Sequence, residues 1–161
     1  SSRNAFRTAS QACRHRKKAG GPAGQCLGRS RGGFGTKVHA AVSGLGLPVR
    51  LSLSPGQFGD PGQAPMLLGG LAPGTVIGDK GYDSQAVVDR VRAAGARVVI
   101  PTQKNRTVQR DTDWHRYKDR NLVERFWAKA KQCRRVATRY EKTARNFLAF
   151  VHVASVMILL Q

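Results

Sequence analysis

Residues 74–101 read GTVIGDKGYDSQAVVDRVRAAGARVVIP, and this stretch contains the pattern that decides the fold. A short apolar strand at positions 76–77 ends at Asp79. Ser84 is placed to cap a helix with a stripe of valines, and Gly95 ends that helix before ARVVIP forms another strand. This strand, helix, strand order predicts a mixed α/β sheet.

The segments on the amino-terminal side extend the predicted sheet. TKVHAAVSG (36–44) and LPVRLSLSPG (47–56) alternate β-branched residues and are joined through glycines, so they predict a β-hairpin. GQFGDPGQ (56–63) is typical of a turn-rich loop, and APMLLGGL (64–71) of a short helix. We therefore expect the hairpin to join the strands of the first segment in one sheet.

On the carboxyl-terminal side, a polar loop at 102–115 leads to two predicted helices, at about 117–134 and 142–160. The apolar run 147–160 is shorter than the ~20 residues that cross a membrane, and it carries His152. We expect it to form a buried helix, and we expect no association with a membrane.

The composition favours a nucleic-acid partner. The chain has 161 residues, a length that favours one domain, and 28 Lys and Arg stand against 9 Asp and Glu, a net charge of +19. Such an excess first indicates binding to phosphate-rich nucleic acid and only second to a membrane surface. Three cysteines without C-x-x-C spacing indicate neither a disulfide framework nor a zinc ribbon, which fits the reducing cytoplasm.

The first part of the chain differs from the rest. Residues 1–33 are basic and rich in Gly, Ser and Ala, and they show almost no apolar periodicity, so we expect a poorly ordered arm followed by a globular domain at 34–161. The chain begins at Ser1 rather than Met, which predicts a fragment or a processed start.

The segment YKDRNLVERFWAKAK (117–131) predicts a two-faced helix. At ~100° per residue, one face presents Tyr117, Arg120, Glu124 and Lys131. The packing face contains Leu122, Val123, Phe126, Ala130 and Cys133. Helix geometry alone leaves open that Arg120 and Glu124 form an ordinary surface ion pair, which contributes a few tenths of a kcal/mol.

The same four residues carry a resemblance. Their pattern, Y-x2-R-x3-E-x6-K, is similar to the signature of DDE transposases of bacterial insertion sequences. GRSRGGFGTKVHAAV, GDKGYDS, VIPTQKNR and RYEKTARNFLAF resemble segments of that family in the same order. The resemblance covers the chain from about Gly28 to its end.

The resemblance implies an RNase H-like fold, with a mixed sheet flanked by helices and two helices at the carboxyl end. It also implies divalent-metal-dependent cleavage and strand transfer of DNA at the ends of an insertion sequence. Three acidic residues would hold Mg²⁺ or Mn²⁺, and Asp79 and Glu124 match the second and third of them. The implied partners are element ends, target DNA and a second copy of the chain, in a bacterial cytoplasm beside the nucleoid.

The basic residues around Glu124 are candidate DNA contacts. Arg120 would orient Glu124 or bind a phosphate, and Lys131 would contact the DNA backbone. Further candidates for non-specific contacts are Lys129, Arg134, Arg135, Arg139 and Lys142. A solvated basic surface is an equal alternative for each of them, and packing is an alternative for Tyr117 and the favoured role for Trp127.

The first acid of the family pattern is missing from this chain. Aligning FRTASQACRHRKK with the family places it near Ser2, and residues 1–37 contain no Asp or Glu. We do not assign this role to Asp60, which lies in a predicted loop. A truncated copy, or a reading frame shifted before about Gly28, would explain the pattern and leave 34–161 as a partial catalytic domain.

Two functions therefore remain open at the level of sequence. The leading one is an active transposase, and the alternative is an inactive remnant or another basic nucleic-acid-binding protein. Asp79 also has a plainer interpretation as a turn residue, and Asp83 as the cap of the following helix.

Overall fold

A computed structural model describes residues 5–15, 24–30 and 33–160. The strands are β1 (Ala5–His15), β2 (Gly28–Ser30), β3 (Gly33–Val42), β4 (Pro48–Pro55), β5 (Thr75–Gly78), β6 (Arg97–Val99) and β7 (Thr138–Arg139). The helices are α1 (Ala64–Leu68), α2 (Gln85–Ala93), α3 (Trp114–Tyr117), α4 (Asn121–Ala130), α5 (Arg134–Ala137) and α6 (Ala144–Leu159). Short 3-10 turns span Asp60–Gln63, Lys80–Tyr82 and Lys118–Arg120.

The sheet is mixed, with β1 near its centre. β3 pairs antiparallel with β1, and β4 pairs antiparallel with β3. On the other side, β5 runs parallel to β1 and β6 runs parallel to β5. β2 extends the edge beside β3, and β7 pairs with the end of β1. The predicted α/β, RNase H-like sheet flanked by helices is confirmed.

Helices cover both faces of the sheet because its central strands are buried on both sides. Val38, Ala40 and Val42 of β3 pack towards α4 and α6, whereas Ala41 packs towards α1 and α2. On the first face the helices contribute Val123, Phe126, Trp127, Ala130, Val136, Phe147, Val151 and Ala154. Packing was the role favoured for Trp127, and its burial agrees with that prediction.

The prediction that residues 1–33 form a poorly ordered arm is wrong for β1 and β2, which are strands of the sheet. The buried side chains of β1 are Ala5, Arg7, Thr8, Ala9 and Cys13, so this central strand has no large aliphatic residue to produce an apolar pattern. Backbone pairing with β3 and β5 holds it in place instead. Residues 1–4, 16–23, 31–32 and 161 lie outside the described part. The assignment of 34–161 as a partial catalytic domain stays a prediction.

Several local predictions are confirmed. β3 and β4 form the expected hairpin, and Gly46 in its turn has a φ of +81°. Ser84 caps α2 by accepting a hydrogen bond from the Val87 amide at 3.2 Å, and Gly95 ends the helix with a φ of +71°. Local turn and cap chemistry was therefore enough to locate these elements.

The predicted helix at 117–134 is divided into α3, a 3-10 turn and α4. Arg7 of β1 donates from Nε to the carbonyl oxygen of Asp119 at 2.7 Å, in the middle of the 3-10 turn. This bond engages a carbonyl that a regular α-helix would use for its own backbone. Arg7, which lies more than 100 positions away in the chain, therefore contributes to the break between α3 and α4.

The prediction of a buried carboxyl-terminal helix is only partly right. α6 buries one stripe that includes Phe147 and Val151, whereas Val153, Val156 and Met157 are more than half exposed. Within the described ranges, no helix has the length and apolar character needed to cross a bilayer.

Candidate active site at the end of the central strands

Asp79 lies at the carboxyl end of β5, next to the centre of the sheet. Its Oδ1 accepts a hydrogen bond from the Lys80 amide at 2.6 Å and caps the 3-10 turn Lys80–Tyr82. The plainer interpretation of Asp79 as a turn residue is thus compatible with the structure. The side chain is only partly exposed, and its position at a strand end is where α/β sheets gather their sites.

Buried hydrogen bonds hold the turn that follows Asp79. The Tyr82 hydroxyl lies 3.0 Å from His39 Nδ1, and His39 Nε2 lies 2.7 Å from the Ser54 hydroxyl. Burial lowers the pKa of His39 to about 4 and raises the pKa of Tyr82, so both side chains stay neutral near pH 7. This network connects the turn to β3 and β4.

Asp83 does not cap α2, contrary to the prediction. Its carboxylate forms ion pairs with the guanidinium groups of Arg110 and Arg106. It also accepts a hydrogen bond from the backbone amide of Gln103 at 2.7 Å. Burial raises the pKa of Asp83, but the Arg110 hydrogen bond and the neighbouring positive charges outweigh it and lower the pKa overall. Asp83 therefore anchors the loop after β6 to the turn of Asp79.

Glu124 lies on the exposed side of α4, whose opposite side packs on the sheet. Its Oε1 is 2.6 Å from Arg120 Nη2, and the Glu124 side chain is 53% exposed. The Arg120 guanidinium also lies over the Tyr117 ring, 5.4 Å from its centroid. These contacts bring together Tyr117, Arg120 and Glu124, as predicted. For Lys131, the fourth residue of the predicted face, the shared face stays a prediction.

Tyr117 connects the two candidate acids. Burial raises the pKa of its hydroxyl, the charge of Arg120 lowers it, and the charges of Asp79 and Glu124 both raise it. Both carboxylates therefore act electrostatically on the same phenol, although one follows β5 and the other lies on α4. That Asp79 and Glu124 form one site stays a prediction.

Arg7 supports this site and was missed by sequence reasoning. It is 1% exposed, and it pairs with the Asp119 carboxylate at 3.0 Å and donates to the Ser43 carbonyl at 3.2 Å. Since Asp119 directly precedes Arg120, Arg7 ties the start of the Glu124 helix to the sheet. Arg7 lies in the segment that the sequence predicts to be a poorly ordered basic arm, and no local pattern marks it as buried.

The remaining basic candidates differ in their surroundings. Lys129, Lys131 and Arg134 are exposed, and Lys131 lies at the carboxyl end of α4. Arg134 donates to the Tyr140 hydroxyl at 3.2 Å, and Arg135 pairs with Glu141 at 2.9 Å. These side chains form a basic edge beyond α4, and their contact with DNA stays a prediction.

Arg139 is not a surface DNA contact, contrary to the prediction. It is fully buried, and it donates to the Thr36 hydroxyl at 2.6 Å and to the Gln25 carbonyl at 2.8 Å. It also donates to the backbone carbonyls of Glu141 and Lys142. The side chain joins β7 to the segment before β2, which is a structural role.

Asp79 and Glu124 have the side-chain type that a divalent ion requires. Carboxylate oxygens suit Mg²⁺, which proteins hold through one or two carboxylates together with substrate phosphates. The residues that the structure describes contain no cluster of three or more His, Cys, Asp or Glu that is able to hold a metal. The register pairs Thr8 with Gly78, so the next residues, Ala9 and Asp79, are neighbours. The first acid was predicted near Ser2, which lies outside the described residues.

Two similarities to known proteins bear on the function of this chain. The family described as "Transposase DDE domain" matches residues 7–159. The putative transposase for insertion sequence element IS6501 of Brucella ovis is 41% identical over 131 residues, which cover 78% of this chain and 98% of that protein.

Proposed function

The chain belongs to the DDE transposase family, and from this premise we propose that it cleaves and joins DNA at the ends of an insertion sequence with the help of a divalent metal. The observation that carries the proposal is the match of residues 7–159 to the transposase DDE domain; Asp79 and Glu124, which resemble two of the acids of that family, also both act electrostatically on Tyr117. Carboxylates that bind a metal, together with exposed basic residues that bind phosphate, suit a phosphodiester substrate.

Asp79 and Glu124 would hold the metal, which, when bound, supplies a Lewis acid for attack at phosphorus. Mg²⁺ is the natural choice, with Mn²⁺ as a substitute. Arg120 keeps Glu124 in place through the 2.6 Å ion pair. Lys131, Lys129 and Arg134 would bind the phosphate backbone and position it across the end of α4.

The partners that we propose are the element ends and target DNA, beside the bacterial nucleoid. A second copy of the chain would bring two element ends together. The net charge of +19 supports the nucleic-acid part of this proposal, because counterions released from DNA drive binding to so basic a protein.

A specific observation favours a second candidate function. Ala9, the strand neighbour of Asp79, carries no carboxylate, and the described residues offer no three-ligand cluster. A chain that retains the fold and the basic edge but lacks this ligand would bind DNA without cutting it. The second candidate is therefore an inactive, DNA-binding remnant of a transposase.

A nicking assay separates the two functions. Supercoiled DNA carrying the element ends is incubated with the full chain and Mg²⁺ or Mn²⁺, and nicked product is quantified. An active transposase should lose nicking with EDTA, with Asp79→Ala and with Glu124→Ala. Asp89→Ala is the matched control, because Asp89 is exposed on α2 and bonds only to Gln85 among the contacts described.

The outcomes are distinct. Nicking that persists in both Asp79→Ala and Glu124→Ala would exclude these residues as the catalytic acids. Salt-sensitive DNA binding without metal-dependent nicking would instead support the inactive remnant.

A further inference from the structure

We infer that Asp60 is a positioning residue that holds the turn of Asp79 in its metal-binding arrangement. The inference rests on the proposed function of Asp79 and deepens it. Asp60 begins the 3-10 turn Asp60–Gln63, which follows β4, and its own sequence context marks it only as a loop residue.

The Asp60 carboxylate is held from two strands. Its Oδ2 accepts a hydrogen bond from the Ser10 hydroxyl of β1 at 2.9 Å. Its Oδ1 accepts one from Lys37 Nζ of β3 at 3.0 Å, and the Asp60 side chain is 14% exposed. Lys37 also donates to the Phe58 carbonyl at 2.9 Å, so the lysine is fixed as well. The carboxylate is therefore a rigid group rather than a solvated surface charge.

This rigid group lies directly against the turn of Asp79. A Cβ atom built on Gly81 would lie 2.6 Å from Asp60 Oδ2, closer than real Cβ contacts. Gly81 is the middle residue of the turn Lys80–Tyr82, which Asp79 caps. The absence of a side chain at Gly81 is what allows the carboxylate to approach the backbone this closely.

Asp60 completes a clamp around the turn. Tyr82 holds it from the buried side through His39, Asp83 holds its end through Arg110, and Asp60 closes the side that faces β1. Ser10 follows Ala9, the neighbour of Asp79, so the Asp60 contact fixes β1 and the turn together at the site. Loss of the Asp60 carboxylate should loosen the turn while the other two attachments keep the domain folded.

The first test measures the turn itself. Amide hydrogen exchange followed by NMR on the full chain reports the amides of Tyr82 and Asp83, which donate to Asp79 and Lys80 carbonyls. Asp60→Ala should speed their exchange about tenfold and leave the amides of α2 unchanged, with Asp60→Asn between Asp60→Ala and the wild type. Asp89→Ala is again the control, and unchanged exchange in Asp60→Ala overturns the clamp.

The second test measures metal binding without DNA or turnover. Titration of Mn²⁺ followed by electron paramagnetic resonance should show an affinity about tenfold lower in Asp60→Ala, the effect expected when a residue that orients a ligand is lost. Asp79→Ala should abolish the same binding, and Asp60→Asn should restore part of it. Faster exchange with unchanged Mn²⁺ affinity overturns the positioning role.

A double variant tests the contact directly. Gly81→Ala introduces the clash with Asp60 and should lower Mn²⁺ affinity by itself, whereas in the Asp60→Ala background it should change affinity less than twofold. Equal effects in both backgrounds overturn the proposed contact. If the wild-type chain binds no Mn²⁺ through Asp79, the proposed function fails, and the exchange measurement then decides the clamp separately.

Discussion

His39 should make the stability of the fold depend on pH in a defined window. Burial lowers its pKa to about 4, the charge of Asp60 opposes this shift, and the charge of Lys37 adds to it. The unfolded chain takes up a proton on His39 below about pH 6.5, whereas the folded chain does so only near pH 4. The stability that neutral, buried His39 contributes is therefore fully present above about pH 6.5, and it is lost as the pH falls towards 4.

The size of the effect follows from the two pKa values. At about 1.4 kcal/mol per pH unit, the difference corresponds to about 3 kcal/mol of unfolding free energy. This is a large part of the total stability of a domain of this length. The same side chain lies 3.0 Å from the Tyr82 hydroxyl, so its protonation changes the hydrogen bonding beside the turn of Asp79.

Urea unfolding of wild type and His39→Gln, followed by circular dichroism between pH 7 and pH 4, measures this contribution. Glutamine retains hydrogen-bonding capacity towards Tyr82 or Ser54 but does not titrate. Because the other groups titrate alike in both proteins, the difference between their unfolding free energies should shrink by about 3 kcal/mol across the window. A difference that stays constant within 1 kcal/mol would refute the assignment of His39 as a buried neutral group.

Three further predictions address the site and the core. Ala9→Asp should place a carboxylate beside Asp79, because these residues follow the paired Thr8 and Gly78, and it should increase the rise in melting temperature on adding Mn²⁺. A rise equal to that of wild type would contradict the placement of position 9 beside the metal. Arg139→Lys should lower the unfolding free energy, measured in urea, by about 3 kcal/mol, because lysine cannot satisfy the same four acceptors. A loss below 1 kcal/mol would show that the four hydrogen bonds of Arg139 do not stabilise the fold. Lys131→Ala should reduce by about one the slope of log affinity for DNA against log salt concentration, whereas an unchanged slope would exclude Lys131 as a phosphate contact.

Much of the candidate site was accessible from sequence because its residues lie in short patterns. The spacing of Arg120 and Glu124 placed both on one helix face, and their ion pair is present. The short strand before Asp79 indicated a residue at a sheet end. Asp83 was assigned wrongly because its arginine partners lie in a loop more than 20 residues away, where helix-capping rules give no information.

The sequence by itself determined the strand, helix, strand unit, the hairpin and the two-faced helix of Glu124, because residues within one turn or one strand encode these elements locally. Only the tertiary structure decided that Ala5–His15 is a central strand, because backbone pairing rather than its own apolar pattern holds it. Only the tertiary structure buried Arg139 among four acceptors and placed Asp60 against Gly81. These contacts join residues far apart in the chain, and they exist only once packing has set the register of the sheet.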